Sequence, residues 1–202
     1  MPEGELQPSL EELRDKVMDY QDLLKVPTLV TAGSLALVLS GCRSIDTVAG
    51  VNKIVAGRTG DLLDGFLARS LNQSSDMGAL ADTAADKTGM LAIGASAWHK
   101  DVVPHSVLAT IGAKHAATIG LTAAYAYKFP TRTFRPNQAG KLAMGMDNLA
   151  LFGYLYGSAF ENEYPELELH DTFRNVGRSA FIAGSVLSVP ATLSYATRIF
   201  ND

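Results

Sequence analysis

The 202-residue sequence predicts an all-α integral membrane protein, six transmembrane helices preceded by an N-terminal amphipathic surface helix. Three observations carry that prediction. Six segments rich in apolar or small residues run near 27–43, 47–70, 77–98, 103–127, 141–160 and 175–199, each close to the roughly 20 residues that a membrane crossing needs. Charge is segregated, with the termini and one late loop holding much of it, so the mean hydropathy of +0.09 averages over unlike parts. Finally, the ionisable residues inside the middle segments recur at helical spacing, as functional charge facing a bundle interior does. The same low hydropathy also fits a soluble helical bundle, and hydropathy alone leaves both open.

The elements follow in order. Residues 1–26 form an N-terminal cytoplasmic or interfacial segment, and 27–202 the membrane domain. MPEGELQPSLEELRDKVMDYQDLL is acidic and lacks the basic start of a signal peptide. A surface helix is expected from Ser9, an N-cap residue with Glu12 three positions on. VPTLVTAGSLALVLSGC and SAFIAGSVLSVPATLSYATRIF, in the first and last spans, are strongly apolar. The middle spans are rich in Ala and Gly, which let membrane helices approach closely. The single cysteine, Cys42, excludes an intrachain disulfide and reads as a small buried residue.

Residues 61–86, DLLDGFLARSLNQSSDMGALADTAAD, are where the chemistry concentrates. Asp61 and Asp64 share one helix face, as do Asp82 and Asp86. The polar stretch from Ser70 to Asp76 lets the two helices run antiparallel, so that their acidic faces meet. Four carboxylates so gathered need cations between them, and hard oxygen donors suit Mg²⁺ or Mn²⁺. Arg58, three residues before Asp61, is placed to pair with it; Lys53 has no evident role.

Loop charge orients the bundle. Lys128, Arg132, Arg135 and Lys141 cluster around the link between the fourth and fifth spans, whereas ENEYPELELHD, between the fifth and sixth, has no Lys or Arg. The positive-inside rule puts the first link, both termini and the 70–76 link in the cytoplasm. Trp98, Tyr125, Tyr127 and Tyr154 are expected in an interfacial aromatic belt. With 17 basic against 21 acidic residues, a net charge of −4, nothing calls for a nucleic-acid partner.

Written out, the central stretch is Asp61-x2-Asp64-Gly65-x2-Ala68-Arg69-x8-Gly78-x3-Asp82-x3-Asp86. It resembles, at every fixed position, the signature of the CDP-alcohol phosphotransferase family (CDP-alcohol phosphatidyltransferases, class I). VPTLVT at 26–31 looks like the Pro-x-x-x-Thr element that opens that family's first membrane helix. Asp82-Thr-Ala-Ala-Asp86-Lys87 is similar to its Asp-Pro-x-Ala-Asp-Lys, with Thr83 in place of proline. Gly140-Lys141, with Lys114-His115 upstream, makes the chain most similar to the bacterial phosphatidylglycerophosphate synthases. Their pattern has Arg-Glu where Lys114-His115 stands, an arginine where Ser34 stands, and Lys-Thr in place of Ala143-Met144.

The resemblance implies a multi-pass enzyme of the cell membrane, a homodimer with its active site facing the cytoplasm. It implies transfer of a phosphatidyl group from CDP-diacylglycerol to an alcohol, with release of CMP. Two Mg²⁺ ions, replaceable by Mn²⁺, would be held by Asp61, Asp64, Asp82 and Asp86, with Asp86 also the catalytic base. Thr28, Thr31, Gly65, Ala68, Arg69, Ser75 and Gly78 would contact the CDP-lipid. Acceptor contacts would fall to Lys114, Lys141, Arg132 and Arg135. The acceptor it points to first is glycerol 3-phosphate; phosphatidylglycerol, as for a cardiolipin synthase, inositol phosphate or serine are alternatives. An inactive membrane scaffold derived from the family is the reading outside that class. The residue chemistry agrees with the family's roles, because a pyrophosphate dianion meets a carboxylate cluster only through cations, and Arg69 can fork two hydrogen bonds to a phosphate.

Overall fold

Helices occupy nearly all of the chain that the computed structural model describes, which is residues 26–70, 76–129 and 137–201, with side chains for 29–60, 84–129 and 137–198. In order they are α1 (Val26–Arg43), α2 (Val48–Ser70), α3 (Asp76–His99), α4 (His105–Lys128), α5 (Gln138–Glu163) and α6 (Leu169–Asn201), with a 3-10 turn at Pro165–Leu167 before α6. Each coincides with one of the six predicted segments, and no strand occurs among the described residues. The surface helix expected from Ser9 lies outside the described residues.

Local chemistry sets the helix ends. Thr47 precedes α2, and its hydroxyl accepts from the Gly50 N–H at 3.0 Å. Asn137 caps α5 in the same way, its Oδ1 accepting from the Gly140 N–H at 2.8 Å. Each satisfies one of the N–H groups that a helix start leaves without a partner. Two residues adopt the left-handed conformation, both in links: Asp101 between α3 and α4, and Glu168 at the entry to α6. At the former, the His105 ring stacks on Trp98 with centroids 4.0 Å apart, and its Nε2 lies 2.9 Å from the Asp101 carboxylate.

The chain divides into two compact units. The first holds α1 as far as Cys42, α2 from Asn52 and α3 to Ile93. Here α1 and α2 meet through glycine. A β-carbon on Gly57 would stand 2.6 Å from the Ser34 carbonyl oxygen and 2.7 Å from a Val38 methyl, and one on Gly60 would collide with the Ser34 hydroxyl. Ser34 is buried by this approach. A longer side chain there would force the helices apart.

The second unit holds Arg43–Val51 and everything from Gly94 onward. Its spine is the antiparallel pair α5 and α6. A β-carbon on Gly153 would come within 2.6 Å of Gly177 backbone atoms, and one on Gly157 within 2.6 Å of Arg174 Cγ. Gly184 backs onto Asp147 in the same register. Small residues at four-residue spacing bring the two backbones together, the packing typical of membrane helices. At one end, Lys100 donates to the Asp46 carboxylate at 2.6 Å, Asn162 donates to the Asp46 carbonyl, and Glu163 accepts from the Val48 N–H. Arg174 forks onto Glu161 nearby.

Among the described residues two helices, His105–Lys128 and Leu169–Arg198, are long and apolar enough to cross a membrane. Most of their apolar length is not buried within the protein. On α6, Ile182, Val186, Val189 and Leu193 form an exposed stripe at steps of three and four. The core helix of a soluble protein would hide such a face; one left outside this way is suited to a lipid surround. Tyr125 and Tyr154 depart from expectation. Both are buried, packed into the bundle and not set in a belt, whereas Tyr127 is 93% exposed and Trp98 is also exposed. Cys42 is buried, as its size and chemistry suggest.

Candidate active site

The signature falls on α2, α3 and the link between them. Asp61 and Asp64 lie within α2, and Asp82 and Asp86 within α3, so each pair has the helical spacing that its sequence requires. The side chains of Asp61, Asp64, Asp82, Gly65, Ala68, Arg69, Gly78 and Thr28 are outside the described residues, as are Ser75, Arg132 and Arg135 altogether. Thr31, further along α1, is buried. Among the described residues no three His, Cys, Asp or Glu side chains gather as a metal site; of the expected ligands only Asp86 falls within them.

Asp86 shows how its carboxylate is held. The Arg58 guanidinium donates to its Oδ1 at 2.6 Å, and Lys87 Nζ stands 3.6 Å from Oδ2. The Arg58 and Asp86 side chains are 16% and 27% exposed, while Lys87 is out in the open at 56%. Asp86 lies 28 residues on, on α3; the pairing expected for Arg58, with Asp61, involves a side chain outside the described residues. The contact with Asp86 ties α2 to α3 within the first unit.

In the second unit, Lys114 of α4 reaches Asp147 of α5, Nζ to Oδ1 at 2.5 Å, with the side chains 17% and 7% exposed. Lys114 also lies over the Phe181 ring at 5.7 Å. Asp147 was missed in the sequence because a lone carboxylate in an Ala- and Met-rich helix carries no spacing signal; only the meeting of α4, α5 and α6 gives it a partner. Lys141 is exposed in the first turn of α5. Beside it, the Tyr195 hydroxyl occupies the space that a β-carbon on Gly140 would need, and also accepts from the Asn137 N–H at 3.3 Å. The Gly140-Lys141 pair therefore has a local cause: glycine lets α6 brace the start of α5, and the lysine faces outward from that start.

These features define an all-helical, membrane-associated protein whose ionisable residues are collected on a few helix faces. A sequence profile of the CDP-alcohol phosphatidyltransferase family matches residues 24–189, most of the chain, and the protein belongs to that family. Its general reaction is transfer of a phosphatidyl group from a CDP-alcohol to an alcohol acceptor, a transferase step of phospholipid synthesis. No curated protein and no solved structure matches the chain.

Proposed function

We propose that this protein is a Mg²⁺-dependent CDP-diacylglycerol phosphatidyltransferase, with glycerol 3-phosphate as its acceptor. The observation that carries the reaction type is the complete eight-residue signature on two consecutive helices, with Asp86 at its end oriented by Arg58. The six helices are read as six membrane spans, with the α2–α3 link on the cytoplasmic side and two chains forming a dimer.

Asp61, Asp64, Asp82 and Asp86 suit Mg²⁺ by their chemistry, since all four are hard oxygen donors, paired at helical spacing on two consecutive helices. They would hold two such ions, which supply Lewis-acid stabilisation of charge on the transferring phosphate and on CMP. The chain's own residues do the rest. Arg69 and the small residues Gly65, Ala68 and Gly78 receive the cytidine diphosphate, with Thr28, Thr31 and Ser75 as further contacts. Asp86 accepts the proton of the acceptor hydroxyl. The hydroxyl oxygen bonds to the phosphorus that carries the diacylglycerol, and the bond from that phosphorus to the oxygen of CMP breaks, CMP leaving with the electron pair.

Lys141, exposed at a helix start, is suited to an anionic acceptor, and Arg132 and Arg135 add positive charge in the adjoining link. Lys114 is the fourth acceptor residue assigned here. Its pairing with Asp147 favours a second reading, phosphatidylglycerol as acceptor, because the carboxylate subtracts from the charge available to a free phosphate. The test is CMP release by purified protein with CDP-diacylglycerol and Mg²⁺, offering glycerol 3-phosphate, phosphatidylglycerol, inositol phosphate and serine separately. Release is expected with glycerol 3-phosphate, and Asp86→Asn should abolish it. Release with phosphatidylglycerol alone selects the second reading, and release with none refutes the enzyme in favour of a scaffold.

A further inference from the structure

Arg58 is a charged side chain at the site to which neither the signature nor the reaction assigns a task. Its guanidinium is largely withdrawn from solvent and donates to Oδ1 of Asp86 at 2.6 Å. Among the described residues, the other oxygen faces Lys87, at 3.6 Å and well solvated. A guanidinium is permanently charged, so its hydrogen bond holds Oδ1 in place at any working pH. Here it does so from the adjacent helix, one turn from Asp61.

We infer that Arg58 is a positioning residue that divides the two oxygens of Asp86, occupying Oδ1 and leaving Oδ2 for the cation and the proton. The inference rests on the proposed role of Asp86. It has two consequences of opposite sign. As a fixed positive charge beside the carboxylates, Arg58 weakens the binding of divalent cations. As a clamp, it keeps Asp86 from chelating a bound cation through both oxygens, so that Oδ2 meets the cation with one lone pair and keeps the other for the acceptor proton. An arginine that merely braces α2 against α3 would do neither.

The experiment measures Mn²⁺ affinity of the detergent-solubilised protein by paramagnetic resonance, alongside kcat for CMP release, in wild type, Arg58→Gln and Arg58→Lys. Arg58→Gln should bind Mn²⁺ more tightly, on the order of tenfold for loss of one nearby charge. Its kcat should fall by roughly tenfold or more, as expected when a reacting group is misplaced. Arg58→Lys, which keeps the charge and a donor, should return the affinity to the wild-type value and recover part of kcat. A variant in which affinity and kcat fall together marks Arg58 as a structural brace and overturns the inference, as does no change in either. Both outcomes leave the proposed reaction standing. A wild-type protein that binds no Mn²⁺ and releases no CMP removes the reaction and the inference together.

Discussion

Deleting one member of the Lys114–Asp147 pair should cost far more than deleting both. The ion pair spans α4 and α5 at 2.5 Å, beneath Phe181 and against Gly184 of α6, with Asp147 only 7% exposed. Lys114→Met leaves a carboxylate with no counter-charge in a site that water scarcely reaches, and Asp147→Leu leaves an ammonium in the same position. Stranding one charge of a buried pair costs about 3–5 kcal/mol, whereas replacing both by apolar groups of similar size is often close to neutral. The lower end applies here, since Lys114 at 17% exposed can reach some solvent. At roughly 2–4 °C per kcal/mol for a chain of this size, each single variant should lose about 6–12 °C of thermal midpoint. The double variant should recover most of that, the lost contact with the Phe181 ring accounting for about 1 kcal/mol at most. Thermal unfolding of all four proteins in one detergent closes the cycle. Single losses that simply add in the double variant would refute the argument. So would an Asp147→Leu protein as stable as the wild type. The double variant also separates two roles for Lys114. An unchanged KM for the acceptor makes the lysine a brace, and a raised KM makes it an acceptor contact.

Two further predictions follow from packing and charge. Gly153→Ala should destabilise by about 1–3 kcal/mol, because its methyl would stand 2.6 Å from backbone atoms of Gly177 that cannot swing aside. Gly120→Ala, with nothing within 4 Å, should be neutral or slightly stabilising through helix propensity, and equal midpoints for the two would contradict the close approach of α5 and α6. The hydrogen bond from Lys100 holds the Asp46 carboxyl below its ordinary value of 3.8, against an opposing push from burial. A depressed carboxylate stabilises the fold above its unfolded value and loses that contribution as pH falls through the folded one. Because the Asp46 side chain is more than a third exposed, the gain is at most about 1 kcal/mol. The midpoint difference between wild type and Asp46→Asn should thus be present at pH 6 and vanish once the pH is below that depressed value; a difference that persists in acid would show that the charge of the Asp46 carboxylate is not its source.

Six helices and the signature were legible in the sequence because both rest on local spacing. Each boundary lies close to a cap or link residue, Thr47 and Asn137 among them, and the aspartate pairs need only the three- and four-residue repeat of one helix. Membrane crossing was legible in kind, from apolar length, and two of the six helices meet that measure. The tyrosines were not legible. Tyr125, Tyr127 and Tyr154 share the same chemistry, and which way each points depends on where neighbouring helices lie.

What the sequence determined by itself is the run of helices from Val26 onward and the family, since both are written within single helices or across one short link. The tertiary structure decided which charges meet. Arg58 bonds Asp86, 28 residues on along the next helix, and Lys114 finds a carboxylate 33 residues on that no spacing rule selects. Both outcomes depend on the rotation and register of packed helices. In the second unit those are set where Gly153, Gly177 and Gly184 let two backbones close on each other, and in the first where Gly57 and Gly60 admit Ser34. Close approach leaves few rotations open, and the long charged side chains then take the partners that the rotation presents.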